Sequence, residues 1–151
     1  MLRDRFTTMM KESMKAGDKR RLATVRMIQA ALKDRDIEAR GQGKEQLTDD
    51  DILALLQKMV KSRQESLGIY EKAAREDLAA QEREEIVIIT EFLPQQLGED
   101  EMKAAIAAAI TETGATAMKD MGKVVAALKA KFTGQMDFAK ASAMVKAALN
   151  G

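Results

Sequence analysis

The segment Met118–Val124 carries two cationic side chains at a spacing that suits anion binding. Its sequence is Met-Lys-Asp-Met-Gly-Lys-Val, so a helix would place Lys119 and Lys123 on one face, near an N-terminus that also favours negative charge. Gly122 costs a helix about 1 kcal/mol relative to alanine, which indicates close approach by a neighbouring helix or by a ligand. Two interpretations stay open, namely helix packing over Gly122 beside solvated lysines, or contact of the lysines with phosphate.

A second cationic group interrupts the apolar pattern of a predicted helix that opens at Thr48. The pattern predicts an apolar residue near position 63, but Arg63 stands there, close to Lys61. One interpretation is an ion pair with a glutamate of the next helix, because an arginine on an apolar face usually has a charged partner. The other interpretation is contact of these cations with an anion or a nucleic acid.

The residue types that enzymes use most often are absent or poorly placed. The chain has no Cys and no His, which excludes a thiol nucleophile and removes the commonest general base and metal ligand. All four serines lie inside predicted helices, and the glycine-rich phosphate motifs and the Gly-x-Ser-x-Gly motif are missing. The aspartates 49–51 suit the start of a helix better than a metal site. We expect no catalytic residue, no metal and no cofactor.

The elements that must position these cations are predicted to be helices. One proline in 151 residues and the lack of apolar–polar alternation predict an all-α chain. Four helices are expected before Pro94, at about 3–16, at about 19–40, from Thr48 onward, and from Asp77 as N-cap. Three shorter helices are expected after it, at about 99–113, at about 118–132, and from Asp137 onward. The apolar faces of the first two helices are expected to include Met14 and Ile37.

Composition and charge change along the chain. Residues 94–151 are alanine-rich and follow a proline, which disfavours helix in the residue before it, so we expect a four-helix domain 1–93 and a three-helix domain 94–151. The net charge of +1 arises because segments of opposite charge cancel. Residues 1–44 carry +6, residues 45–93 carry −6 and residues 115–151 carry +4. The longest apolar run has seven residues, where a membrane span needs about 20. With no apolar signal core at the N-terminus, we expect a cytoplasmic protein without a membrane partner.

Several motifs occur in an order that makes the chain similar to a known family. They are Lys61–Ser66 with Tyr70, then Ala74–Leu78 with Arg75 and Asp77, then Phe92–Leu97 around Pro94, and then Lys119–Val124 around Gly122. Over nearly its whole length the chain resembles the YqeY family of small bacterial proteins. That family is related to the C-terminal tail of the B subunit of the tRNA-dependent amidotransferase, GatB.

The resemblance implies an all-helical fold with a C-terminal three-helix part, and a role near tRNA, which the related tail domain helps to hold. The resemblance also implies an activity by which the family is labelled, that of a carbon–nitrogen ligase with glutamine as amide donor. Nothing in this sequence supplies a glutaminase nucleophile or an ATP site. The chain departs from the family at a Gly-Arg-Ala-Asp-Gly run, where residues 134–138 read Gly-Gln-Met-Asp-Phe. Gln135 therefore replaces an arginine, and any phosphate contact of that arginine is lost.

Our leading hypothesis is a stand-alone tRNA-binding or tRNA-associated module. The expected contact residues are Lys119, Lys123, Lys131, Lys140, Lys61 and Arg63. Recognition would rest on backbone charge and shape, because five aromatic residues leave few for base stacking. The alternatives are an ancillary role in glutamine-dependent amidation of misacylated tRNA, beside the amidotransferase or other translation components, and a protein–protein interaction module.

Overall fold

The computed structural model describes residues 1–150, and within that range it contains helices and no strand. Seven α-helices and one short 3-10 turn, Met118–Asp120, are present. The helices are α1 Leu2–Ala16, α2 Lys19–Gly41, α3 Asp49–Lys72, α4 Glu76–Thr90, α5 Glu99–Thr113, α6 Met121–Phe132 and α7 Phe138–Asn150. The prediction of an all-helical chain is confirmed.

Contacts divide the chain into two compact units, Met1–Leu93 and a second that begins at Pro94. The first unit contains α1–α4 and the second contains α5–α7, which is compatible with the expected grouping of four and three helices. The assignment of the two units as separate domains stays a prediction. The expected last residue of the second domain, Gly151, lies outside the described residues.

Local signals explain where most helices begin and end. Gly17 ends α1 in the left-handed conformation with φ 68°, and the Asp18 side chain accepts a hydrogen bond from the N–H of Arg21 to start α2. Thr48 and Asp51 form a reciprocal capping box at the start of α3, which gives Asp51 a structural role. Gly114, at φ 65°, ends α5 in the same way as Gly17 ends α1.

The expected N-cap of α4 is wrong. The N-cap residue is Arg75, and Asp77 lies in the first turn of the helix. The Asp77 carboxylate forms an ion pair with the Arg75 guanidinium at 3.2 Å. This pairing, together with the favourable position of an acid in a first helical turn, explains why an aspartate stands here without capping the helix.

An aromatic contact links the two ends of the first unit. Phe6 of α1 meets Phe92, just after α4, edge to face at 4.8 Å between ring centroids, and both rings are buried. Burying a side chain of this size contributes on the order of 2–3 kcal/mol. Ile28 of α2, Leu56 of α3 and Ile89 of α4 belong to the same cluster, so all four helices share one core.

Two expected core residues of the first unit lie at the surface. Met14 is 57% exposed and Ile37 is 56% exposed. Near the C-terminal end of α2 the buried residues are Asp36 and Ala39, and Ile37 between them is exposed. An acid takes this place because a cation of α1 reaches it, and the neighbouring isoleucine is turned outward as a result.

The second unit has its own core, formed by all three of its helices. Met102 and Ile106 of α5 pack with Val124 and Leu128 of α6 and with Val145 of α7. A hydrogen bond joins the segment before α5 to the loop before α7, since the N–H of Leu97 donates to the carbonyl of Gln135 at 2.8 Å. Gln135 lies in the run 134–138, where this chain departs from the family pattern. None of the helices within residues 1–150 has the length and apolar character that crossing a membrane requires.

The Asp36 carboxylate joins three segments of the first unit. It receives two hydrogen bonds of 2.9 Å from the Arg3 guanidinium of α1 and a third of 2.9 Å from the N–H of Leu47, before α3. Arg3 also donates to the carbonyl of Leu47 at 3.0 Å. The bonds from Arg3, and then the bond from Leu47, hold the pKa of Asp36 below its usual value against the opposing effect of burial.

Replacing this carboxylate should destabilise the protein. We expect Asp36→Asn to lower the free energy of unfolding at pH 7 by about 2 kcal/mol, since hydrogen bonds to charged groups are worth about 1.5–3 kcal/mol. Urea unfolding followed by circular dichroism measures the change. The control is Asp34→Asn, at an exposed position of the same helix, which should change stability by less than about 0.5 kcal/mol.

The same variant should lose its effect in acid. Because the folded pKa of Asp36 is lowered, its contribution is complete above the unfolded pKa of about 3.9 and declines as pH falls through the folded value. The stability difference between wild type and Asp36→Asn should therefore shrink below about pH 4. An undiminished difference in acid would show that the charge of Asp36 is not what matters.

Candidate nucleic-acid interface

The segment Met118–Val124 forms a 3-10 turn that leads directly into α6. The Asp120 carboxylate accepts hydrogen bonds from the N–H groups of Thr116 at 3.0 Å and Ala117 at 3.4 Å, which shapes the turn. These two N–H groups, followed by the charges of Lys123 and Lys119, lower the pKa of Asp120. The acidic residue of the motif is therefore part of the fold.

The remaining residues of the motif separate into two groups. Met121 packs against the core of the second unit and Val124 is completely buried. Lys119, Gly122 and Lys123 are exposed, and we call these three residues the Lys119–Lys123 surface. Apart from the charges that both lysines present to Asp120, neither lysine side chain forms a hydrogen bond or an ion pair within residues 1–150.

Gly122 has open space beside it. A Cβ atom built at this position would meet no atom of a neighbouring segment within 4 Å. The interpretation that another helix of the chain packs over Gly122 is therefore wrong. Contact of the lysines with phosphate stays a prediction, and the open space leaves room for a ligand to approach the backbone here.

The structure does not bring the four predicted lysines of the second unit together. Lys119 and Lys123 stand at the N-terminal end of α6, whereas Lys131 lies eight residues further along it, about 12 Å by the helical rise. Lys140 follows the loop that leaves this far end. Lys131 also pairs with Glu112 of α5 at 3.2 Å, with both side chains more than half exposed, and such surface pairs are worth less than about 1 kcal/mol.

Arg63 forms an ion pair between two helices of the first unit. Its Nε donates to Glu85 Oε2 of α4 at 2.9 Å, and the two side chains are only 15% and 9% exposed. A second nitrogen of the guanidinium donates to the carbonyl of Met59 and a third to the Met27 sulfur. The interpretation of Arg63 as one half of an ion pair is confirmed, and a nucleic acid could contact its guanidinium only if this pair opened. Lys61 is exposed on α3.

The other residues of the family motifs shape the chain around the α3–α4 turn and after α4. The carbonyl of Tyr70 accepts a 2.9 Å hydrogen bond from the N–H of Arg75, which closes the turn. Ala74 inside that turn has φ 57°. Pro94 is exposed and follows the end of α4. None of the described residues forms a group of three or more acidic side chains that could hold a metal ion.

Comparison with known proteins shows a family and a relative that this chain is similar to. The model of a family described as "Yqey-like protein" matches residues 3–149. The protein named "Altered inheritance of mitochondria protein 41, mitochondrial" from Pyrenophora tritici-repentis is 28% identical over 127 residues, which cover 81% of this chain and 68% of that protein. The family match therefore includes both units and the Lys119–Lys123 surface.

The ion pair predicts a large effect for Arg63 on stability. We expect Arg63→Ala to lower the free energy of unfolding by about 3–5 kcal/mol, because the variant leaves Glu85 buried without its cation. Lys58→Ala, an exposed position on the same helix, should cost less than about 0.5 kcal/mol. Chemical denaturation measures both variants. Equal stability of the two would contradict a structural role for Arg63.

Proposed function

The chain belongs to the YqeY-like family, and from this premise we propose that it is a tRNA-binding module that uses the Lys119–Lys123 surface. The motif that forms this surface is one of those on which the family resemblance depends. The tail domain to which that family is related helps to hold tRNA, which supports RNA as the partner.

The main support for the proposal is that the residues of the motif 118–124 have different roles. Within a single short motif, Asp120 and Val124 serve the fold, while Lys119, Gly122 and Lys123 are exposed. A glycine in a helix lowers its stability by about 1 kcal/mol relative to alanine, and no packing contact offsets that cost. Two lysines beside a glycine with open space are suited to a ligand whose backbone comes close and carries negative charge.

Phosphate groups of RNA fit this surface chemically. Lysine acts as a compact point charge for phosphate, and phosphate contacts position a nucleic acid without reading its sequence. The five aromatic residues of the chain include the paired rings of Phe6 and Phe92, which are buried and cannot stack on bases. Binding should therefore depend strongly on salt and weakly on sequence.

The remaining predicted cations have different places in the proposal. Lys131 and Lys140 would form a second contact area at the far end of α6, and Lys61 is exposed and stays a candidate. Arg63 is left out, because its guanidinium is engaged with Glu85. The ancillary role in amidation, association with the amidotransferase and a cytoplasmic location rest on the sequence and the resemblance alone.

Charge reversal at the surface tests the proposal. We expect Lys119→Glu with Lys123→Glu to weaken binding of unfractionated tRNA by about ten-fold or more, and to reduce the slope of log affinity against log salt by about one per lost phosphate contact. Fluorescence anisotropy across a salt titration gives both quantities. Lys103→Glu with Lys146→Glu has the same net charge change at exposed positions of the same unit. If both double variants bind tRNA equally well, the proposed surface is wrong.

Replacing Gly122 gives an independent test, because the substitution is expected to raise stability and to weaken tRNA binding. Gly122→Ala should raise the free energy of unfolding by about 0.5–1 kcal/mol and should weaken tRNA binding. Ala126→Gly, at an exposed position of the same helix, should lower stability by a similar amount and leave binding unchanged. A Gly122→Ala variant with unaltered tRNA affinity would remove the glycine from the proposed contact.

A further inference from the structure

The Arg63 guanidinium on α3 also reaches a sulfur atom of α2. Its Nε donates to Glu85 of α4 at 2.9 Å and its Nη1 to the carbonyl of Met59 at 3.1 Å, while its Nη2 donates to the sulfur of Met27 at 3.4 Å. Two of these acceptors are oxygen atoms, whereas a thioether sulfur is a weak acceptor. The hydrogen bond to α2 is therefore the weakest of the three.

Met27 is accessible to reagents in solution. It is 38% exposed, and it is not part of the hydrophobic cluster that forms the core of the first unit. The other exposed methionines within residues 1–150 are Met1, Met14 and Met118. Among these four exposed residues, the sulfur of Met27 is the one that accepts a hydrogen bond from an arginine within the part of the chain that the structure describes.

The sulfur chemistry of this chain is that of methionine, because the sequence has 11 Met and no Cys. A hydroperoxide converts a methionine thioether into a sulfoxide. The sulfur lone pair attacks one peroxide oxygen, so that an S–O bond forms while the O–O bond breaks. The sulfur loses two electrons, and the departing hydroxide takes the proton of the transferred oxygen. With hydrogen peroxide the second product is therefore water.

A sulfoxide at Met27 would give Arg63 a better acceptor. Oxidation replaces the weakly accepting sulfur by a polar oxygen, and hydrogen bonds from charged donors to oxygen are among the stronger ones in proteins. The methionine side chain has three rotatable bonds, so the new oxygen can turn towards the guanidinium without a shift of the backbone. Oxidation of a buried methionine usually disrupts packing, but Met27 lies outside the core cluster.

From this geometry we propose that Met27 is an oxidation site, at which a hydroperoxide forms a sulfoxide that accepts a hydrogen bond from Arg63. The modified side chain joins α2 more firmly to the ion pair between α3 and α4. Oxidation at this position therefore stabilises the first unit. The site belongs to that unit, and it does not depend on the proposed contact with tRNA.

Two full-length proteins that differ at one methionine test the proposal. The first carries Met14→Leu with Met118→Leu, so that Met27 and Met1 are its exposed methionines, and the second carries Met27→Leu in addition. Both are treated with hydrogen peroxide until peptide mass spectrometry shows the sulfoxide at Met27 in the first, with the buried Met102 and Met136 unmodified. In urea unfolding, we expect oxidation to raise the ratio of folded to unfolded molecules about five-fold in the first protein.

The second protein should change by less than about two-fold, because it differs from the first only at Met27. Treatment of the first protein with a methionine sulfoxide reductase should reverse its gain, since the modification is reversible. Arg63→Lys in the first protein should abolish the gain, because lysine keeps the positive charge but lacks the planar fork of donors. A fall in stability on oxidation, an equal gain in the second protein, or a Met27 that resists peroxide as Met102 does would each overturn the proposal.

A pair of unoxidised variants keeps the test decisive if Arg63→Lys fails to fold. Glutamine resembles the sulfoxide in carrying a neutral oxygen acceptor, so Met27→Gln should be more stable than Met27→Leu. The same two substitutions at Met14 are the matched control, because Met14 is exposed and its side chain forms no hydrogen bond within residues 1–150. If glutamine has the same effect relative to leucine at both positions, the contact with Arg63 does not favour an oxygen acceptor and the proposal is wrong.

Discussion

The carboxylate of Asp36 is the group on which the arrangement of the first unit depends. It holds α1 through Arg3 and the start of α3 through Leu47, and it does so from the face of α2 that packs against α1. A buried acid is costly unless each of its oxygens is bonded, so this position admits one arrangement of the three segments. The contact between Phe6 and Phe92 buries apolar surface, but the hydrophobic effect is non-directional and does not fix the orientation of the helices in the same way.

Ion pairs between helices also determine which charges remain for partners. Glu84, Glu85 and Glu91 belong to the segment of net charge −6, and they pair with Arg20, Arg63 and Arg21 respectively. These acids are therefore engaged inside the unit. Four exposed cations of α2, Lys19, Arg26, Lys33 and Arg40, form no ion pair within residues 1–150, because the acidic helix α4 reaches Arg20 and Arg21 instead. A net charge near zero thus conceals a strongly positive face.

Most helix ends could be predicted from the sequence, whereas the burial of Asp36 could not. Gly17 and Thr48 act through backbone conformation or hydrogen bonds within three residues, so neighbouring residues contain the whole signal. Asp36 is buried because of Arg3, 33 residues away, and a helical apolar pattern favours Ile37 over an acid at this place. An aspartate is a favoured N-cap residue, so the sequence favours Asp77 for this place, but the N-cap of α4 lies two residues earlier, at Arg75.

The candidate site was predictable in its residue types and not in its division of roles. Arg63 and Lys119 are both cations in family motifs, and the sequence allowed either to meet an anion outside the chain. Burial distinguishes the two residues. A buried arginine must have its charged partner within the fold, whereas an exposed lysine has no such requirement. Hydrogen bonding, and not burial, assigns Asp120 to the fold, because its carboxylate accepts hydrogen bonds from two backbone N–H groups. An external anion can bind without displacing an internal contact where exposed cations lie next to uncovered backbone, as Lys119 and Lys123 lie next to Gly122.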